Sequence, residues 1–391
     1  MRVESEVQMS EYQYYEFRSI DRPLSARQMD ELRKISSRAQ ITPGSFVNVY
    51  NFGDFRGDPD KLLDKYFDAF LYLANWGSRW LMLRIPRKLL SPETAAAFGG
   101  GDCLSIRRRG DHVVLSFRSE DEEDYEWAEG EGWLGSLLPL RSSLMRGDHR
   151  ALYLGWLLAV QNEEVDEDAV EPAVPPGLDE LDSALDRLAR FLRIDPDLIA
   201  AAAERSAAKP SGSLTRRDVI AWLSTLPARR KDDLLAGFIM DEDPHLVVEL
   251  QQQALESVQG ASPPSDERRR TAAGLLERAQ VLGDARRAKE AEARARKKAK
   301  REREAAKKRQ EHLSSLRGKE PKLWSKVHEL IDTRQPKRYD EAVELLRDLH
   351  DLAKLQEDVG AFRTKMSALH DQHQRKTTLV ERFRKAKLLG G

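Results

Sequence analysis

Residues 286–309, RRAKEAEARARKKAKREREAAKKR, have no face to give to a hydrophobic core. The stretch holds thirteen Lys and Arg, four Glu and seven Ala, with no aromatic and no branched apolar side chain. A helix that is polar all round lies in solvent or against a charged partner. With alanine as the only apolar residue, no leucine-type coiled-coil seam exists either. The stretch can nevertheless hold its own helix. Glu290–Arg294, Glu292–Arg296 and Glu304–Lys308 are i,i+4 pairs in the favourable order, each stabilising a helix by about 0.2–0.5 kcal/mol. No proline interrupts residues 267–312, so the pattern predicts one helix of roughly 70 Å at 1.5 Å per residue, weakest at Gly274 and Gly283.

The charge around that run is sorted along the chain. Residues 1–150 carry a net −3, residues 151–265 a net −11 and residues 266–391 a net +13, which together make the formal −1 of the whole. Such asymmetry points to interaction surfaces rather than to a reaction. A length of 391 residues implies two to three domains. The single cysteine, Cys103, excludes an intrachain disulfide and a Cys-rich zinc site. The opening MRVESEVQMSEYQYYEF lacks the apolar segment of a signal peptide. The most apolar stretch, residues 151–160, is too short to span a bilayer. A soluble cytoplasmic protein with no membrane partner is expected.

Residues 12–118 alternate strand and helix patterns. Strands are expected at 12–20, 46–52, 80–85, 103–108 and 113–118, the last two as a hairpin around Gly110-Asp111. Ser25 with Gln28 forms a capping box for a first helix, flanked by the staple Leu24 and Met29. Asp58-Pro59 opens a second, expected to bury Leu63, Tyr66, Phe67, Phe70 and Ala74 and to stop at Gly77. Ser91-Pro92 opens a third. Two more helices are expected near 136–146 and 149–162. The fold class is therefore multidomain: an N-terminal α/β (α+β) domain with one mixed sheet over residues 1–162, then an all-α region. The acidic, Pro-rich 163–177 and the stretch 260–267 are expected linkers. They delimit a small helical domain, 178–258, and a final region, 267–391, with the long basic helix and a C-terminal helical hairpin. In that hairpin Tyr339, Ala342, Leu346, Leu349 and Ala353 form one apolar stripe, and Phe362, Met366 and Leu369 another.

Four stretches, SEYQYYEFRSIDRPLSARQMDEL (10–32), NFGDFRGDPDKLLDKYFDAFLYLANWGSRWLMLRIP (51–86), HRALYLGWLLAV (149–160) and FLRIDPDLIAAAAE (191–204), together resemble an uncharacterised family of bacterial proteins. The segment from RYDEAVELLRDLHDLA (338–353) onward is similar to a helical tail found on other bacterial proteins, some of which carry a SWIM-type zinc finger. The Cys and His ligands of such a finger are absent from this sequence. The resemblance implies a bacterial, cytoplasmic setting and brings no catalytic role.

Candidate functional residues follow from charge. The cations Arg294, Arg296, Lys297, Lys298, Lys300, Arg301, Arg303, Lys307 and Lys308 are open to three readings: a solvated spacer, a phosphate-backbone binder acting through counterion release, or a docking arm for an acidic protein surface. The acidic run 119–133, with Glu122, Glu123, Asp124, Trp127 and Trp133, reads either as a solvated loop or as a docking patch anchored by its aromatics. His350, His370 and His373 lack a third ligand nearby, so no metal is assigned. Of Asp54, Asp58 and Asp60, Asp58 has a capping task and Asp54 none. Gly99-Gly100-Gly101 leads into a strand rather than a helix, which excludes a phosphate loop. Cys103 reads as a small buried residue, and Tyr12, Tyr14, Tyr15 and Phe17 as core or groove lining. No catalytic residue and no cofactor is assigned. The expected function is a non-enzymatic adaptor or assembly protein, with nucleic-acid association through 286–309 as the alternative and an enzyme using the Asp54 region as a third.

Overall fold

A computed structural model describes residues 11–120, 129–209, 214–240, 243–259 and 269–389. The chain divides into two compact units, Met1–Arg286 and Arg287–Gly391.

The first unit is built on seven strands: β1 (Gln13–Arg18), β2 (Gln40–Thr42), β3 (Ser45–Tyr50), β4 (Ala69–Ala74), β5 (Arg79–Pro86), β6 (Leu104–Arg109) and β7 (His112–Ser119). Their order is β2-β3-β1-β4-β5-β7-β6. The sheet expected as mixed has all six of its pairings antiparallel. The topology explains why its sequence reads as β-α-β. Helix α2 (Pro59–Tyr66) joins β3 to β4, which both pair antiparallel with β1 between them. Helix α3 (Pro92–Ala96) likewise joins β5 to β6 around β7. Each is a split βαβ unit with an antiparallel strand inserted.

Capping residues start these helices as their chemistry demands. Ser25 and Gln28 close the capping box of α1 (Ala26–Ile35), and Asp58 caps α2 with Pro59 in its first turn. The second helix is shorter than its apolar spacing suggests. It ends at Tyr66, and Ala69–Ala74 is a central strand rather than a continued helix face. A strand covered on both sides is apolar at nearly every position, so it satisfies a helical period by accident.

Both faces of the sheet are buried, and alternate residues go to different cores. Tyr14, Leu71, Leu73, Leu81, Leu83, Leu115 and Phe117 pack on the face covered by α4 (Trp133–Met145) and α5 (Arg150–Gln161). Tyr15, Phe17, Phe46, Phe70, Met82 and Val114 pack on the other, with Leu32 of α1 and Leu63 of α2. The aromatics of β1 are thus core. Helices α6 (Ser183–Leu192) and α7 (Pro196–Ala203) extend the first cluster through Leu185, Leu188, Phe191 and Leu198. The start of α11 (Ala272–Leu316) adds Ala272, Leu275 and Ala279. Within residues 163–177, expected as a linker, Glu171 is buried in an ion pair. Glu171 accepts from Arg270 Nε and Nη2 (3.0 and 2.8 Å) and from Tyr153 Oη (2.5 Å). Between α7 and α11 lie α8 (Arg216–Thr225), α9 (Ala228–Ile239) and α10 (Leu246–Gln259).

The second unit has its own core. In α12 (Glu320–Asp332), α13 (Pro336–Leu355), α14 (Val359–His373) and α15 (Thr377–Lys385), Val327, Leu330, Tyr339, Leu346, Phe362, Met366, Leu379 and Phe383 form one cluster. The C-terminal helices are paired as their apolar stripes require, with α15 as an addition. An N-terminal sheet domain followed by a long all-α region is the architecture of this protein. Among the described residues no helix is long and apolar enough to cross a membrane.

Candidate functional site

The basic stretch is helical throughout, inside α11. Every residue from 284 to 308 is exposed. The helical repeat places Arg294, Lys297, Lys298, Arg301 and Lys308 on one side and Arg296, Lys300, Arg303 and Lys307 on the opposite one. Three of the nine have a carboxylate within reach along the helix: Arg294 with Glu290 (3.8 Å), Lys300 with Glu304 (3.9 Å) and Lys307 with Glu311 (3.9 Å). These exposed contacts are worth little. Among the described residues Arg296, Lys297, Lys298, Arg301, Arg303 and Lys308 have no ion-pair partner. Just beyond them the pattern changes. Arg309 pairs with Asp348 and, at 2.6 Å, with Asp351, while His312 Nε2 lies 2.8 Å from Asp348. Leu313 is buried.

Of the acidic candidates, Glu122, Glu123, Asp124 and Trp127 lie outside the described residues. Trp133 opens α4 and packs within its own unit. Its ring meets Phe191 (centroids 5.4 Å apart), and the Arg187 guanidinium lies 4.2 Å from its centroid.

The remaining candidates have structural partners. Asp54 Oδ1 accepts from Gln13 Nε2 (3.1 Å), Asp58 caps α2, and Asp60 pairs with Arg107. Cys103 is buried, and burial, then the nearby Glu164, push its thiol up to about 12. A protonated, enclosed thiol is a poor nucleophile. His350 stacks on Phe362 at 5.0 Å and His373 is buried, and among the described residues no three His, Cys, Asp or Glu groups converge to hold a metal.

The structure brings together a second constellation that the sequence does not advertise. A cleft of about 810 Å³ opens at the end of the sheet where β1 and β5 finish and β4 and β7 begin. Its floor is an ion-pair network. Arg141 of α4 donates to both oxygens of Asp21 (2.8 and 2.6 Å) and to the Arg84 carbonyl (2.7 Å). His245 Nε2 lies 2.9 Å from Asp21 Oδ2. Asp68 Oδ2 accepts the N–H groups of Ile20 (2.7 Å) and Asp21 (2.9 Å). Burial works to raise the Asp21 carboxyl, but hydrogen bonds from His245 and Arg141 outweigh it and hold the group well below the usual carboxylate range. Arg84 Nη2 meets His112 Nε2 at 3.2 Å. A guanidinium only donates, so Nε2 accepts and the proton is on Nδ1. Burial and then the Arg84 charge push the His112 pKa down, which disfavours the charged ring. The sequence does not show this cleft because its parts are short loop segments far apart along the chain. Asp243-Pro244, for example, reads only as a helix start.

Compared with family models, curated proteins and solved structures, the chain finds no match.

Proposed function

We propose that the protein is a non-enzymatic adaptor or assembly component of the bacterial cytoplasm. It docks protein partners through its N-terminal domain and through the basic stretch of α11. One observation carries this reading: Arg296, Lys297, Lys298, Arg301, Arg303 and Lys308 are exposed on a helix and have no ion-pair partner among the described residues. Neighbouring like charges repel, and an acidic surface relieves that repulsion on contact. Because the backbone is already helical, docking orders only side chains.

The glutamates interspersed in the arm favour a protein over a nucleic acid. Glu292, Glu302 and Glu304 would face a uniformly anionic phosphate backbone unfavourably. A protein surface can offer each of them a cation. The stretch also lacks aromatic residues for base stacking.

The test is purification of the full chain from its native cells at low salt, with and without nuclease. A protein should co-elute in both preparations and dissociate as salt is raised. Nucleic-acid absorbance that disappears with nuclease and falls steeply with salt would replace the adaptor reading with phosphate-backbone binding.

A further inference from the structure

The cleft at the end of the sheet is independent of the arm, and its charges are unevenly satisfied. The carboxylates of its floor are engaged: Asp21 by Arg141 and His245, Asp68 by two backbone N–H groups, and Asp243 by Lys88 and the His245 N–H. Two guanidiniums that line the same cleft are not. Arg22, exposed in the β1–α1 connection, and Arg87, half-buried just after β5, have no ion-pair partner among the described residues. Against them stands Asp111, exposed on the β6–β7 turn. Among the described residues, therefore, the cleft lining holds more free positive than free negative charge.

We propose that this cleft binds an organic phosphate monoester, with the phosphate taken by Arg22 and Arg87. A phosphate monoester carries close to two charges near neutral pH, matching two guanidiniums whose planar forks suit its oxygens. The remaining space argues for an organic body rather than a bare ion. About 810 Å³ falls in the range of small-molecule sites, roughly 300–1,000 Å³. Leu24, Tyr66, Pro86 and Pro244 give the cleft apolar wall. His112 lines the same cleft.

Isothermal titration of the full chain with AMP, inorganic phosphate and adenosine tests this. AMP should bind more tightly than inorganic phosphate, and adenosine should show no heat. Arg22→Ala and Arg87→Ala should each weaken AMP about tenfold or more, the scale of a lost charge-assisted hydrogen bond. Arg108→Ala, an exposed change on β6 outside the cleft, should leave AMP binding unchanged. Neither cleft arginine has an ion-pair partner among the described residues, so their variants should melt with the wild type. No AMP binding at millimolar concentration, equal binding of AMP and adenosine, equal binding of AMP and phosphate, or an unaffected Arg22/Arg87 double variant would each overturn the proposal.

Discussion

Asp21 is the residue on which the sheet end depends. Its carboxylate is tied to Arg141, which is 3% exposed, and to His245 from the segment before α10. Truncating the arginine leaves a carboxylate without its main partner in a mostly desolvated position. Arg141→Met should therefore cost about 3–5 kcal/mol of stability in urea unfolding, the scale for breaking a buried pair. Losses comparable to an exposed pair, below about 1 kcal/mol, would contradict this. Because the folded-state pKa of Asp21 is depressed, its stabilising contribution is complete above the ordinary carboxylate value of about 3.9. It is lost as pH falls from there towards the folded value. The stability gap between wild type and Asp21→Asn should thus be widest at neutral pH and narrow below about pH 4; a gap independent of pH would count against the network. At this scale the sequence is uneven in what it discloses. Ser25, Asp58, Asp195 and Thr215 announce their capping roles because a cap is local. Asp21 does not, because its partners are 120 and 224 residues away. Glu171 and Arg270, 99 residues apart, hide in the same way.

Helices test packing through their glycines. In α5, a Cβ on Gly155 would lie 2.8 Å from Leu104 Cδ2 and 3.0 Å from the Phe117 ring, so α5 approaches the sheet too closely for a methyl group. Gly155→Ala should destabilise by about 1–3 kcal/mol through overpacking, despite the better helix propensity of alanine. In α11, a Cβ on Gly274 would meet only Arg270 Cγ at 3.4 Å and Thr271 Oγ1 at 3.5 Å. Gly274→Ala should stabilise by about 0.5–1 kcal/mol. Opposite signs in thermal unfolding support this account, and equal signs count against it. Element type was legible where one face is polar, as in α1, α6 and α13. It failed at β4, where AFLYLA is buried at five of its six positions and no period survives. β2, only three residues long with an exposed-intermediate-exposed pattern, lacks the apolar alternation that marks a strand.

At the scale of the whole molecule, the sorted charge has a structural counterpart. The acidic middle lies in the unit Met1–Arg286, which encloses the sheet and α4 to α10. The most basic stretch lies in the exposed part of α11. The basic helix was legible because its alanines and i,i+4 Glu–Lys/Arg pairs favour a helix locally, whereas the cleft required the completed sheet. Replacing Arg296, Lys297, Lys298, Arg301, Arg303 and Lys308 by Gln removes no ion pair found among the described residues, so each change should fall within about 0.5 kcal/mol of neutral in unfolding. A large joint loss would show that these cations serve the fold.

The most direct measurement is a pull-down from native cells at low and high salt, comparing the wild-type chain with that six-fold Gln variant. The wild type should retain a partner at low salt and release it at high salt, and the variant should retain none at either. The same partner held equally by both chains, or held through high salt, would contradict a charge-driven arm.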